Sequence, residues 1–266
     1  MRTASPGTGL VVEELQIRFG GLVAVRDLSL TAPPGRITGL IGPNGAGKST
    51  TFNACSGFVT PAAGRIAFND VDLTHAPATR RAKAGIGRTF QRMQLFDHLP
   101  VRTNVALGRE LGVAGRSPVS QLWSRSSERS TIAAAAEEAL ALCGIERLAG
   151  ERAGALSTGE RRLVELARAL AGDFSLLLLD EPSSGLDVTE SQAFGELLDR
   201  IVKTRGTGIL IVEHDMSLIA SICQWIYVLD FGQLIFEGAP DAVLASETVR
   251  AAYLGTEPIP EAAARS

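Results

Sequence analysis

The stretch "RITGLIGPNGAGKSTTFNAC", Arg36 to Cys55, constrains this chain more than any other. An apolar run, "ITGLIG", is followed at once by G-x-x-x-x-G-K-S, Gly42 to Ser49, and by a helical pattern from about Lys48 to Cys55. A short continuously apolar run reads as a strand covered on both faces, which places it in a parallel sheet flanked by helices. The loop after it has glycine at 42, 45 and 47, so its backbone can wrap a triphosphate with N–H groups pointing inward. Lys48 then reaches the β- and γ-phosphates, and the Ser49 hydroxyl reaches Mg2+. The rest of the chain has to supply neighbouring strands and the acids that complete such a site.

Two later runs supply the strands. "SLLLLD", Ser175 to Asp180, and "GILIVEH", Gly208 to His214, are again apolar, and a helical pattern from about Thr189 to Lys203 joins them as a βαβ unit. Upstream, "GLVVEELQIRFGG" and "LVAVRDLSLTAPPG" alternate apolar and polar residues, so they read as antiparallel strands, and "GRIAFND" reads as another. "WIYVLDFGQLIFEG" reads as a hairpin around Asp230 to Gly232, and a helix opens at Pro240-Asp241. From about 95 to 171 the strand patterns stop, and helices are predicted at Arg102–Leu107, Ile132–Cys143 and Glu160–Leu170. The predicted fold is α/β: one domain over 10–255, a P-loop NTPase core with an N-terminal antiparallel β subdomain and an inserted helical subdomain at about 95–171. Residues 112–131, rich in Ser and Arg, are expected as a long loop in which Trp123 packs locally. Residues 256–266 are expected as a flexible tail.

Composition narrows the partners. The chain has 266 residues and is 45% hydrophobic, enough for a sizeable core. Its net charge of −3 gives no general attraction to nucleic acid, so no such partner is expected. Cys55, Cys143 and Cys223 match no metal-ligand spacing and suit a reducing interior. No run approaches the ~18–20 apolar residues that cross a bilayer, and "MRTASPGTGL" has no signal-peptide apolar stretch. A soluble, cytoplasmic chain is expected, so any membrane role needs a partner that spans the bilayer. Arg80, Arg81 and Lys83, and again Arg88 and Arg92, form local clusters of the kind that usually lie on solvated faces.

"LLLLDEP", Leu176 to Pro182, ends a buried strand in two adjacent carboxylates. Asp180 at the tip can hold Mg2+ through water, and Glu181 is placed to act as general base on an attacking water. "VEHD" puts His214 at the end of the next strand, where a γ-phosphate contact is expected, because ligands of such sheets gather at the carboxyl ends of strands. His75 and His98 have no such setting and read as surface or turn residues. "GALSTGERRLVELARAL", Gly154 to Leu170, is a second loop that runs into a helix start, and a helix start favours anions. Ser157 and Glu160 also satisfy a capping box, which leaves other N–H groups of that start open. Leu163, Ala167 and Leu170 point the helix into a core.

The P-loop, Gln91, "LSTGE", "LLLLDEP", "SSGLD" and "VEHD" come in the order and spacing of ABC-transporter ATPase subunits, and the chain resembles that family from about Leu10 to Gly255. The resemblance implies an ABC ATPase that hydrolyses ATP with Mg2+. It implies a head-to-tail pair of cassettes, in which the signature loop of one closes over the γ-phosphate at the P-loop of the other. The second anion site would then serve the partner's ATP. Carried across, Gly42, Pro43, Asn44, Gly45, Ala46, Gly47, Lys48, Ser49 and Thr50 line the nucleotide, and Phe19 stacks on adenine where the family usually has tyrosine. Gln91 senses Mg2+ and the attacking water, which puts it with Ser49 and Asp180 at the metal and with Glu181 and His214 in catalysis. Ser157 and Gly159 match the signature contacts, and Asp187 touches the opposite site. The usual signature is LSGGQ; Thr158 and Glu160 depart from it, and Glu160 is expected to turn back into the capping box, away from the nucleotide.

"FGGLVAVRDLSL", "GIGRTFQRMQLFDHLPVRTNVALG" and "AAYLG" are similar to the branched-chain amino acid importer subunits of the LivG type, with urea importer subunits as the related alternative. Lipopolysaccharide-export ATPases share the general layout but differ around the Q-loop glutamine. The resemblance implies a second ATPase subunit (a paralogue or the same chain), two transmembrane permease subunits and, indirectly, a solute-binding protein. It places the chain peripherally at the cytoplasmic face of the membrane. The helical subdomain and Q-loop would dock a permease coupling helix, with Arg88 and Arg92 at that contact or facing water. One P-loop, no sustained heptads and slightly acidic charge set the chain apart from ABC ATPases that act on DNA or ribosomes.

Overall fold

The computed structural model describes residues 7–89, 94–113 and 125–253. Along the chain run β1 (Leu10–Phe19), β2 (Leu22–Ala32), β3 (Ile37–Ile41), α1 (Lys48–Cys55), β4 (Ala63–Phe68), β5 (Val71–Asp72), α2 (Ala78–Ala84) and β6 (Ile86–Arg88). Three helices follow, α3 (Val101–Val113), α4 (Arg125–Cys143) and α5 (Thr158–Ala171). The chain then returns to strands with β7 (Leu176–Asp180), α6 (Val188–Arg205), β8 (Gly208–Val212), α7 (Met216–Ile222), β9 (Trp225–Asp230) and β10 (Gln233–Gly238), and ends in α8 (Pro240–Ala245) and α9 (Glu247–Tyr253).

The strands form two sheets. One is antiparallel, in the order β2-β1-β4-β5; the other has the order β10-β9-β3-β8-β7-β6. Within the second, β9, β3, β8, β7 and β6 run parallel, and β10 returns antiparallel at the edge. The reason for the apolar runs is visible in how they divide. Leu176 and Leu178, Leu210 and Val212, and Leu40 face one core, shared with Phe52 of α1 and the inner residues of the antiparallel sheet, such as Leu15, Val25 and Ile66. Leu177 and Leu179, Ile209 and Ile211, and Ile37 and Ile41 face the other, shared with α6, α7 and the helical segment. Alternate side chains of a strand point to opposite faces, so a strand covered on both faces has to be apolar throughout.

The parallel register also sets the site. Leu40 lies beside Val212, and Asp180 beside Val212 on its other side, so the carboxyl ends of β3, β8 and β7 come out together. The helical segment packs through Val101 and Val105 of α3, Ala139 and Leu140 of α4, and Val164, Ala167 and Leu170 of α5. Where α3 crosses α5, Gly108 lies so close that a Cβ there would overlap the Arg168 carbonyl oxygen.

Three sequence expectations need correction. Residues 112–113 continue α3, and 125–131 already belong to α4, so the expected loop is helical at both ends; exposed polar residues such as Arg129 and Ser130 suit an outer helix face as well as a loop. Trp123 and the tail lie outside the described residues. Arg81 is not on a solvated face. It is 1% exposed, and its guanidinium donates to the carbonyls of Ala76 (3.0 Å), Ala54 (2.7 Å), Cys55 (2.9 Å) and Thr74 (3.1 Å). Two of these end α1, where free carbonyls favour a cation. Arg88, the third, is described with the site.

Candidate active site

The loop between β3 and α1 is held from outside and open inside. At Gly42 (φ 150°) a Cβ would overlap the Leu229 carbonyl oxygen, and at Gly47 (φ 98°) it would lie 2.8 Å from the Ala24 oxygen, so the loop is pressed between β9 and β2. The Ala46 carbonyl accepts the Gly232 N–H at 3.1 Å, which ties the loop to the β9–β10 turn. Gly45 has nothing within 4 Å of a Cβ position, so a ligand can approach its backbone closely. Lys48, 8% exposed, donates from Nζ to the Gly42 carbonyl (2.6 Å) and the Pro43 carbonyl (2.9 Å). Burial lowers its pKa from 10.5, while the charges of Glu181 and Asp180 oppose that shift. Asn44 and Ser49 are exposed on the loop, Pro43 and Thr50 partly so.

Asp180 ends β7 and is 5% exposed. Burial raises its pKa, and the charge and hydrogen bond of Arg88 oppose the rise. Arg88 Nη2 lies 3.0 Å from Asp180 Oδ2, both side chains nearly buried. The arginine expected at a docking surface or in water therefore belongs to the interior, because an ionised carboxylate at that depth needs a partner. Glu181 takes φ 48°, an uncommon conformation for a residue with a side chain. It is held there by its N–H on the Val212 carbonyl (2.9 Å) and by its own carbonyl, which accepts the Ser184 N–H at 3.2 Å.

The donor set suits Mg2+ carried by a nucleotide. No group of three or more His, Cys, Asp or Glu that could hold a metal alone occurs among the described residues. A hydroxyl at Ser49 and one carboxylate at Asp180 are what Mg2+ needs when phosphates supply the other ligands. His214 follows β8 with its side chain 64% exposed, and its Nδ1 lies 3.8 Å from Glu213 Oε2. Glu213 itself is fully buried. Its Oε1 accepts the Ser183 N–H (2.8 Å) and hydroxyl (2.7 Å), and burial raises its pKa against those bonds. Glu213 thus ties the strand end that carries His214 to the turn after Glu181. Sequence reasoning missed it, although an acid closing an otherwise apolar strand was the available signal.

The signature turn forms a second exposed group. Ser157 caps α5: its hydroxyl accepts the Glu160 N–H (3.3 Å), and Glu160 Oε2 accepts the Ser157 N–H (3.1 Å). Glu160 is therefore turned back as expected, and Arg147 pairs with its other oxygen at 2.9 Å. The hydrogen bond from the Ser157 N–H first, and then the one from Arg147, hold its carboxyl below the usual range. The box leaves the N–H groups of Thr158 and Gly159 without an intrahelical acceptor. Asp187 caps α6 through a second box with Glu190, and a Cβ on Gly159 would meet Glu190 Oε1 at 2.7 Å. Ser157, Gly159 and Asp187 are thus brought together. Arg162, behind them, donates to the Ser184 carbonyl and to Glu165 at 3.2 Å each, which joins α5 to the turn after Glu181.

An ABC transporter model matches residues 25–184, from β2 through the P-loop to the turn after Asp180. The chain belongs to the ABC transporter family. A second model, for branched-chain amino acid ATP-binding cassette transporters, matches residues 233–258 of the cassette. Over 248 residues the cassette is 36% identical to the high-affinity branched-chain amino acid transport ATP-binding protein LivG of Escherichia coli K12, covering 92% of this chain and 97% of that one. It is also 36% identical to the lipopolysaccharide export system ATP-binding protein LptB of the same strain, covering 93% and 98%. Among solved structures, the ADP conformation of an ABC transporter cassette superposes with a TM-score of 0.82 at 30% identity, covering 95% of this chain and all of that one. A nucleotide-free cassette superposes with a TM-score of 0.80 at 29% identity, covering 92% and 98%. The cassette is a nucleotide-binding transporter ATPase with an α/β P-loop core.

Two expected site residues, Phe19 and Gln91, lie apart from these groups in the chain. Phe19 is 51% exposed at the end of β1, opposite Leu22. Gln91 lies outside the described residues, as does Arg92. Gln94 is described: Arg168 of α5 donates to its carbonyl.

Proposed function

We propose that the cassette binds Mg2+-ATP along Gly42–Thr50 and, paired with a second cassette, energises uptake of branched-chain amino acids through membrane-spanning permeases. The observation that carries the chemistry is the common edge where β3, β8 and β7 deliver the P-loop, His214 and the Asp180-Glu181 pair. The similarity to LivG and the matched segment at 233–258 support the amino acid as solute. The equal identity to an export ATPase makes transport itself the deciding test.

In this reading the N–H groups around Gly45 and the Lys48 ammonium hold the phosphates, and Phe19 stacks on adenine. Ser49 and Asp180, with Gln91, would hold Mg2+, which when bound withdraws charge from the β- and γ-phosphate oxygens. Glu181 accepts a proton from the attacking water, and His214 contacts the γ-phosphate. The open N–H groups at Thr158 and Gly159, with Ser157 and Asp187, face the nucleotide held by the partner. That partner is a paralogue or a second copy. No described helix is long and apolar enough to cross a membrane; attachment at the cytoplasmic face comes through the permeases and brings in a solute-binding protein.

Glu181→Gln tests the chemistry. The variant is expected to bind ATP, lose hydrolysis by about 100-fold or more, and elute with its partner cassette as an ATP-held dimer. Phosphate release at the normal rate places the base elsewhere. Reconstitution with the permeases, offered leucine, urea or lipopolysaccharide, decides the solute; transport of either of the latter overturns the amino acid reading.

A further inference from the structure

Arg88 ends β6, in sequence just before Gln91, and its side chain is 9% exposed. The guanidinium lies 5.9 Å from the Phe52 ring centre and 5.7 Å from that of Phe58. Nη1 donates to Asn53 Oδ1 and Ser56 Oγ, each at 2.7 Å, which anchors it to the helix that begins with Lys48 and Ser49. Nη2 donates to Asp180 Oδ2 at 3.0 Å. A guanidinium is planar, so fixing one nitrogen on α1 fixes the direction of the other and of the carboxylate it holds. Three pieces of the site thus meet on one side chain: the helix after the P-loop, the end of β7, and the strand leading to Gln91.

We propose that Arg88 is a positioning residue for the metal: it clamps Asp180 by Oδ2 and keeps Oδ1 for the hydrated Mg2+ of the bound nucleotide. The inference rests on the reading of Asp180 as the magnesium carboxylate. It has a sign that separates it from a charge effect. Removing a cation beside a carboxylate, by charge alone, makes Mg2+ bind more tightly. Removing a clamp makes it bind less tightly, as losing the partner of a ligand generally does.

The test uses the full chain as wild type, Arg88→Met, Arg88→Lys, Asp180→Asn and the Arg88→Met/Asp180→Asn double variant. A fluorescent ATP analogue is bound in EDTA and then with rising Mg2+, and Mn2+ bound with ADP is followed by its paramagnetic resonance. For Arg88→Met, affinity in EDTA is expected to stay within about twofold of wild type while the Mg2+ requirement rises about tenfold. Arg88→Lys keeps the charge and stem without the fork, and is expected to raise the requirement by a smaller factor; it carries the test if Arg88→Met does not fold. In the Asp180→Asn background Arg88→Met is expected to add nothing. An unchanged or lowered Mg2+ requirement overturns the inference, as does an equal loss in EDTA or an additive effect in the double variant. If Asp180→Asn itself leaves the requirement unchanged, the magnesium reading of Asp180 falls and this inference with it. If Asp180→Asn shifts it and neither Arg88 variant does, only the inference falls.

Discussion

Arg81 offers a direct measure of what holds the phosphate helix in place. Arg81→Met keeps a long stem in the same channel and removes every donor. Of the four carbonyls it serves, that of Ala54 still accepts the Gly57 N–H at 3.2 Å. Those of Cys55, Thr74 and Ala76 lose the donor that Arg81 supplies. Three buried carbonyls at about 1–3 kcal/mol each give a gross loss of about 3–9 kcal/mol. Against it stands the several kcal/mol no longer needed to bury a guanidinium. A net loss of about 3 kcal/mol is expected, out of a total of roughly 5–15. With a urea slope of about 3 kcal/mol/M, the midpoint falls by about 1 M. Arg81→Lys keeps the charge but cannot span the four acceptors, and about half that shift is expected. Equilibrium urea unfolding followed by circular dichroism reads both. If methionine leaves the midpoint within about 0.3 M of wild type, or lysine proves worse than methionine, carbonyl satisfaction is not what Arg81 contributes.

The helical segment gives two further tests. Gly108→Ala places a methyl group against the Arg168 carbonyl and is expected to cost about 3 kcal/mol, because neither backbone can give way; an unchanged thermal midpoint refutes that. Burial raises the pKa of Glu165 above the usual 4.5, and the charges of Arg162 and Arg168 oppose the shift. In the window above 4.5 the folded state then holds more protons than the unfolded chain, so this group's contribution to stability declines as pH rises. The wild-type urea midpoint minus that of Glu165→Gln is therefore expected to be greatest below pH 4.5 and to shrink toward neutrality; a flat or rising difference contradicts the reasoning.

What was legible in the sequence followed from strict local demands. A loop that must turn at Gly42 and Gly47 tolerates few residue types, and strands such as β7 and β8, buried on both faces, show as unbroken apolar runs. The capping box at Ser157 could be read because both partners lie within one turn. The buried charges were hidden for the opposite reason. Arg81, Arg88 and Arg162 carry the composition of a wet surface, and their interior setting depends on acceptors far away in the chain, such as Ala54, Asp180 and Ser184. Strand β6, only three residues long, is too short to show a period. The outer start of α4 looked like loop because exposed Ser and Arg suit either state.

The close crossing of α3 and α5 limits how this part of the molecule can change shape. Turning α3 about its own axis to present Leu107 or Arg109 at the crossing would put a side chain where only hydrogen fits, so that rotation is barred. The ends of the segment are tethered as well, with Arg168 holding Gln94 at its entrance and Arg109 lying 3.5 Å from Asp173 at its exit. The crossing and these two contacts thus link α3 and α5 to both ends of the segment.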